Sequence, residues 1–162
     1  MQIERIVVNA SPLIILLRSG QAGLLPQLFR EIVIPETVWH EVVAGGHLDQ
    51  AASGLQAAPW AKPTPVVLSP RITVWNLGVG ESAVLTFALE NPVYRAVLDD
   101  RAARRCARTL GINMLGTGGV LVLAKRRGLL QSVEEGLDQL QQAGLWLSPE
   151  IVNLLLKEAG EW

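Results

Sequence analysis

Tyr94-Arg95-Ala96-Val97-Leu98-Asp99-Asp100-Arg101-Ala102-Ala103-Arg104-Arg105-Cys106-Ala107-Arg108-Thr109-Leu110 carries the plainest structural signal in the chain. A short apolar run over Tyr94–Leu98 predicts a strand, and two carboxylates follow it directly. Arg101, Arg104, Arg105 and Arg108 then fall at i, i+3, i+4 and i+7, which is one face of a helix; Ala103, Cys106, Ala107 and Leu110 form the other. Cys106 is accordingly read as a small buried hydrophobe. Carboxylates and guanidinium groups thus meet around one strand terminus.

The same alternation extends outward. Downstream, Ile112–Leu115 predicts a strand, Thr117–Arg127 a helix stopped by Gly128, and 129–162 two acidic amphipathic helices, the second started by Ser148-Pro149-Glu150. Upstream, Ile3–Val8 predicts a strand, with Ser11 as helix cap and Pro12 at the first helical position. A short helix over Gly23–Phe29 leads to a strand at Ile32–Ile34. Pro35 then opens a helix that runs through Val43 and is ended by Gly45-Gly46. Residues 47–57 predict a further helix, and Gly80-Glu81 begins one through Leu89. Pro59, Pro63, Pro65 and Pro70 mark 57–78 as an excursion within a single domain covering 1–162. Strands alternating with helices imply an α/β fold: a three-layer α/β/α sandwich with a central, mostly parallel twisted sheet and two C-terminal helices. Ligands of such sheets gather at the carboxyl ends of the strands.

Composition excludes several classes of function. With 162 residues, 49% hydrophobic and 18% charged, the chain can bury one core and is not disordered. One cysteine allows no internal disulfide and fits a reducing compartment. Two histidines, His40 and His47, cannot build a three-histidine zinc centre, and a surface or packing role suits both. The stretch Ile6–Leu17 is interrupted by Asn9, Ser11 and Pro12, is too short to cross a bilayer, and follows no basic leader. A net charge of −1 hides segregation: residues 96–128 carry seven basic and two acidic side chains, residues 129–162 one and six. The middle segment can therefore bind a polyanion locally.

Two further acids lie on otherwise apolar helical stripes. Glu41 shares one with Val38 and Val42, and Glu81 with Val84, Leu85 and Ala88. Both are expected to point inward, where a carboxylate needs a cation, hydrogen bonds or protonation. Together with Asp99 and Asp100 they suggest a shared metal site, and oxygen-only ligands favour magnesium or manganese. Gly78-Val79-Gly80-Glu81-Ser82 lacks the order of a nucleophile elbow. Gly116-Thr117-Gly118-Gly119 lacks the Lys-Ser/Thr ending of a phosphate-binding loop.

Five segments occur in the order seen in PIN-domain proteins: Val7-Val8-Asn9-Ala10-Ser11-Pro12-Leu13-Ile14, Ile34-Pro35-Glu36-Thr37-Val38-Trp39-His40-Glu41, Gly80-Glu81-Ser82-Ala83, Leu98-Asp99-Asp100-Arg101-Ala102-Ala103-Arg104 and Gly116-Thr117-Gly118-Gly119-Val120-Leu121. The chain resembles that family over nearly its whole length. Within the family it is similar to the VapC-toxin-like ribonucleases, and more narrowly to a branch with Ser-Pro-Leu and Gly-Thr-x-Gly motifs. The resemblance implies a Mg2+- or Mn2+-dependent cytoplasmic endoribonuclease acting on single-stranded RNA, as in family toxins silenced by a small antitoxin protein, and points to a homodimer with no membrane contact. By the same resemblance Glu41, Glu81, Asp100, Asp99 and Asn9 form the catalytic set, with Asn9, Glu81 and Asp100 on the metal. Ser11 and Thr117 orient a ligand or water, and Arg101, Arg104, Arg105 and Arg108 hold substrate phosphates. The family's first acid falls on Asn9, which keeps a ligating oxygen but not the charge. Weak activity or none is therefore expected, and the alternative is a catalytically impaired RNA- or protein-binding module.

Overall fold

A strand buried on both faces needs an unbroken apolar run, and Ile6-Val7-Val8 supplies it: all three side chains are 0% exposed. In the computed structural model, which describes residues 5–45 and 50–162, this run is the centre of the sheet. Strand β1 (Arg5–Val8) lies between β2 (Glu31–Pro35) and β4 (Arg95–Val97), flanked by β3 (Pro63–Thr64) and β5 (Met114–Leu115). The order is β3-β2-β1-β4-β5 and every pairing is parallel, with Val7 opposite both Val33 and Ala96. The strand expected from Ile3 begins, among the described residues, at Arg5; Gly46 and His47 lie outside them.

Helices cover the sheet as a three-layer α/β/α arrangement. After β1 come α1 (Ala10–Arg18) and α2 (Leu24–Leu28), and after β2 come α3 (Glu36–Gly45) and α4 (Gln50–Ala57). The short α5 (Pro70–Thr73) precedes α6 (Val79–Glu90), which packs across β1, β2 and β4 beside α3. Then follow α7 (Arg101–Leu110), α8 (Thr117–Arg126), α9 (Val133–Gln142) and α10 (Pro149–Glu158). Helix α7 shows how local chemistry sets the boundaries. The Asp100 carboxylate accepts the Ala103 N–H at 2.9 Å, and Gly111, at φ +72°, ends the helix in a conformation other residues avoid.

Two sequence expectations need correction. The sequence predicts no strand within the proline-rich excursion 57–78, yet Pro63 and Thr64 form an edge strand of the sheet. An edge tolerates proline, since one side of the strand needs no N–H donor. Helix α1 begins at Ala10, so Ser11 does not cap it and Pro12 lies in its first turn, where no intrahelical N–H is required. The cap position belongs to Asn9, whose N–H is spent on the Val97 carbonyl at 3.0 Å. The sheet ladder therefore runs straight into the helix, with no intervening loop.

The C-terminal segment is fastened by one carboxylate. Glu161 accepts the Lys125 ammonium at 2.9 Å and the N–H groups of Val133 and Glu134 at 2.6 and 3.0 Å, tying the residues after α10 to α8 and the start of α9. Burial alone would raise its pKa, but these donors outweigh burial and hold it at about 2. A carboxyl with a depressed folded pKa stabilises the fold above its unfolded value and loses that contribution as pH falls. Glu161→Gln is expected to destabilise the protein by about 1–2 kcal/mol at pH 7. Thermal melts should show the deficit shrinking as pH falls from 4.5 towards about 2.

Candidate active site

Because every strand is parallel, the residues that follow β1, β2 and β4 emerge at one edge of the sheet. There a cleft of about 180 Å³ is lined by Asn9, Ala10, Ser11, Glu41, Gly78, Gly80 and Glu81. Asn9 is only 4% exposed, and its side chain makes no capping bond. Ser11 is exposed at the rim. Glu41 was expected inside, yet it is largely accessible, with its carboxylate set against the Gly80 backbone. Glu81, at the third position of α6, reaches back to accept the Gly78 N–H at 3.1 Å.

These contacts assign a role to glycines that the sequence did not single out for it. Gly80 donates a backbone hydrogen bond to Glu41, and a Cβ there would collide with the Glu41 carboxylate. A Cβ on Gly78 would come within 2.9 Å of Glu81 Oε1. The close approach of backbone to carboxylate therefore needs glycine at both positions. The Gly-Val-Gly-Glu spacing was visible in the sequence, but the partner of Gly80 lies on another helix.

Burial raises the pKa of Glu81, and the charges of Asp100 and Glu41 push it higher against the Gly78 hydrogen bond. Glu41 is raised as well, by burial of its carboxylate end outweighing the Gly80 bond. Asp100 is thus electrostatically part of this group, although its carboxylate is curled onto Ala103 of its own helix.

Asp99 goes elsewhere. Its Oδ1 accepts the Thr117 N–H at 2.9 Å and its Oδ2 the Thr117 hydroxyl at 2.5 Å. Thr117 is fully buried, so it orients Asp99 and the start of α8 and is not open to a ligand, contrary to the sequence expectation. Beyond it, Asp99, Arg101, Arg104, Arg105 and Arg108 line a separate basin of about 440 Å³. Arg104 is half-buried and donates to the Leu98 carbonyl at 3.1 Å. Cys106 is buried, as expected of the opposite face.

Asn9, Glu41 and Glu81 line the cleft with one amide and two carboxylate side chains, and Asp100 acts electrostatically on Glu81 from beside it. Such a donor set fits a hard divalent ion. Among the described residues no three His, Cys, Asp or Glu side chains are close enough to form a finished ligand cluster.

An acid whose folded pKa is raised loses stability for the fold as pH climbs from the unfolded value through the folded one. Glu81→Gln keeps an acceptor for Gly78 and removes the repelled charge. It should raise Tm by a few degrees at pH 7 and change it little at pH 4, as measured by differential scanning calorimetry.

No curated protein and no solved structure matches the chain. The family model described as PIN domain matches residues 5–161. No helix among the described residues is long and apolar enough to cross a membrane. With the all-parallel five-stranded sheet and an acidic carboxyl edge in place, the chain belongs to the PIN-domain family and has its nuclease-like fold.

Proposed function

We propose that this protein is a divalent-metal-dependent endoribonuclease of PIN type, acting at the Asn9–Glu41–Glu81–Asp100 edge, with activity limited by Asn9. The observation that carries the reading is the gathering of Asn9, Glu41 and Glu81 around one cleft at the carboxyl edge of the sheet, where burial and then the charges of Asp100 and Glu41 raise the pKa of Glu81. Asn9, Glu81 and Asp100 would hold Mg2+ or Mn2+, with Glu41 alongside. When bound, the ion would polarise water and offset charge on the phosphodiester.

The chain's own groups then divide the work. Glu41, which lines the cleft but is not among the three residues assigned to the ion, is placed to take a proton from water there. Ser11, exposed on the rim, can donate to a phosphate oxygen. Arg101, Arg105 and Arg108 are exposed along the adjoining basin and suit the phosphates of a single RNA strand. Asp99 and Thr117 act as positioning residues through their bonds to each other.

The family resemblance extends this reading to a cytoplasmic toxin silenced by a small antitoxin protein, and to a homodimer. A second reading is favoured by Asn9 itself: a neutral amide on the cleft wall suits a PIN fold that binds RNA or a protein without cleaving it.

Manganese titration by calorimetry and cleavage of single-stranded RNA, run in parallel, separate the two. Asn9→Asp should raise both metal affinity and cleavage, by roughly 10–100-fold. Adding Asp100→Ala should abolish the gain. Equal, negligible cleavage in all three proteins would leave the binding module as the better account.

Gly80→Ala offers an independent check. The added Cβ displaces the flexible Glu41 side chain, not backbone, so the fold should survive. Circular dichroism should remain native while manganese affinity falls.

A further inference from the structure

The loop between α9 and α10 holds a tryptophan out in solvent. Leu145 and Leu147 pack partly against the core, while Trp146 between them is 80% exposed. The loop is anchored on both sides of the indole. Leu145 N–H donates to the Leu140 carbonyl at 3.0 Å, and Ser148 caps α10 by accepting the Ile151 N–H at 3.3 Å. Gly144, at φ +116°, makes a turn that other residues disfavour. The two leucines supply the packing, so the fold has no need of an aromatic ring at position 146. A large apolar side chain displayed on an anchored loop marks a binding surface.

Trp146 walls a groove of about 640 Å³ together with Ile151 and Leu154 of α10, which are 45% and 50% exposed. Arg101 and Arg104 line this groove and also the arginine basin, so the two form one continuous surface. Its contributing elements differ in chemistry. Helix α7 supplies guanidinium groups: the basin sets Arg101, Arg104, Arg105 and Arg108 against the single carboxylate of Asp99, whose two oxygens are already bonded by Thr117. Residues 145–158 contribute no cation to the groove; they offer the indole, aliphatic side chains and one acid, Glu158. A phosphate is drawn to α7 and repelled by Glu158, while a flat apolar group finds the indole. An unpaired nucleotide carries both parts, and single strands are held by stacking bases on aromatic rings beside a basic track. A face of four arginines continuous with the groove suits a polyanion, and not an apolar protein surface.

We infer that this groove is a nucleobase site: an unpaired base of the strand whose phosphates lie on the α7 arginines stacks on Trp146, with Ile151 and Leu154 beside it. The inference rests on RNA as the ligand in the reading above, and not on catalysis. Trp146 is a substrate-positioning residue, since its groove shares no lining residue with the acidic cleft. Every base has a flat face, so the site adds affinity without selecting a sequence.

Binding of fluorescein-labelled oligouridylate to the full chain, followed by fluorescence anisotropy in the presence of EDTA, tests this free of cleavage. Trp146→Ala should weaken binding by about fivefold or more, and Trp146→Phe should keep most of the wild-type affinity. The indole is exposed, so its removal should leave a native circular dichroism spectrum. Inorganic polyphosphate has the charge but no bases, and its affinity should be the same in wild type and Trp146→Ala. The slope of log affinity against log salt should likewise be unchanged in Trp146→Ala and fall by about one in Arg105→Ala. RNA binding that ignores Trp146→Ala would overturn the inference and leave RNA as the ligand. If sedimentation then shows a smaller assembly for that variant, the groove is a protein contact instead. Equal losses for RNA and polyphosphate would also overturn it, because the indole would then act through the arginines. A wild type that binds no RNA would overturn the RNA reading itself, and this inference with it.

Discussion

The hydrogen bond from Asn9 N–H to the Val97 carbonyl fixes the geometry on which the rest of the site depends. It extends the β1–β4 pairing by one residue beyond the strand, and α1 begins at the next position. With Ile6, Val7 and Val8 of β1 fully buried between β2 and β4, the chain has no freedom to slide, since a one-residue slip would turn Ile6 and Val8 from one face of the sheet to the other. Strand ends therefore align, and Asn9, the start of α3 and the Asp99-Asp100 pair share one edge. Glu41 sits on the helix that follows β2, Asp99 and Asp100 come directly after β4, and Glu81 reaches the same edge on α6, which packs across β1, β2 and β4.

At that edge, two neighbouring aspartates have different surroundings. Successive residues of an extended chain point to opposite sides, and Asp99 and Asp100 leave β4 in that way. Asp100 caps α7 and acts electrostatically on Glu81; Asp99 is tied to the buried Thr117 and faces the arginines. One strand terminus thus connects an acidic cleft with a basic basin. For a polyanion bound along α7, this arrangement sets phosphates near the carboxylates without requiring arginine inside the cleft.

The C-terminal third has a different physical character. Helix α9 buries Val133, Gly136, Leu137 and Leu140, and the Glu161 carboxylate fastens the chain after α10 to its first turn. Helix α10 is held at its sides but not covered. Its stability comes from that fastening and from partial packing on α8, which leaves an apolar face open beside the edge strand β5.

By itself the sequence determined the alternation of strands and helices, the buried centre of the sheet, the arginine face of α7 and the family. All of these follow from local spacing: a period of two or of 3.6, a capping residue, an unbroken apolar run. It also marked Asn9, Glu41, Glu81 and Asp100, because polar groups on apolar stripes or at strand ends stand out against their neighbours. Tertiary structure decided the rest. Pro63 and Thr64 joined the sheet only because β2 offered them an open edge. Thr117 became unavailable to a ligand because Asp99, 18 residues away, claimed both its N–H and its hydroxyl. Glu41 turned towards Gly80 rather than the core because α3 and α6 pack side by side, and the separation of those partners along the chain hides such a contact from any local pattern.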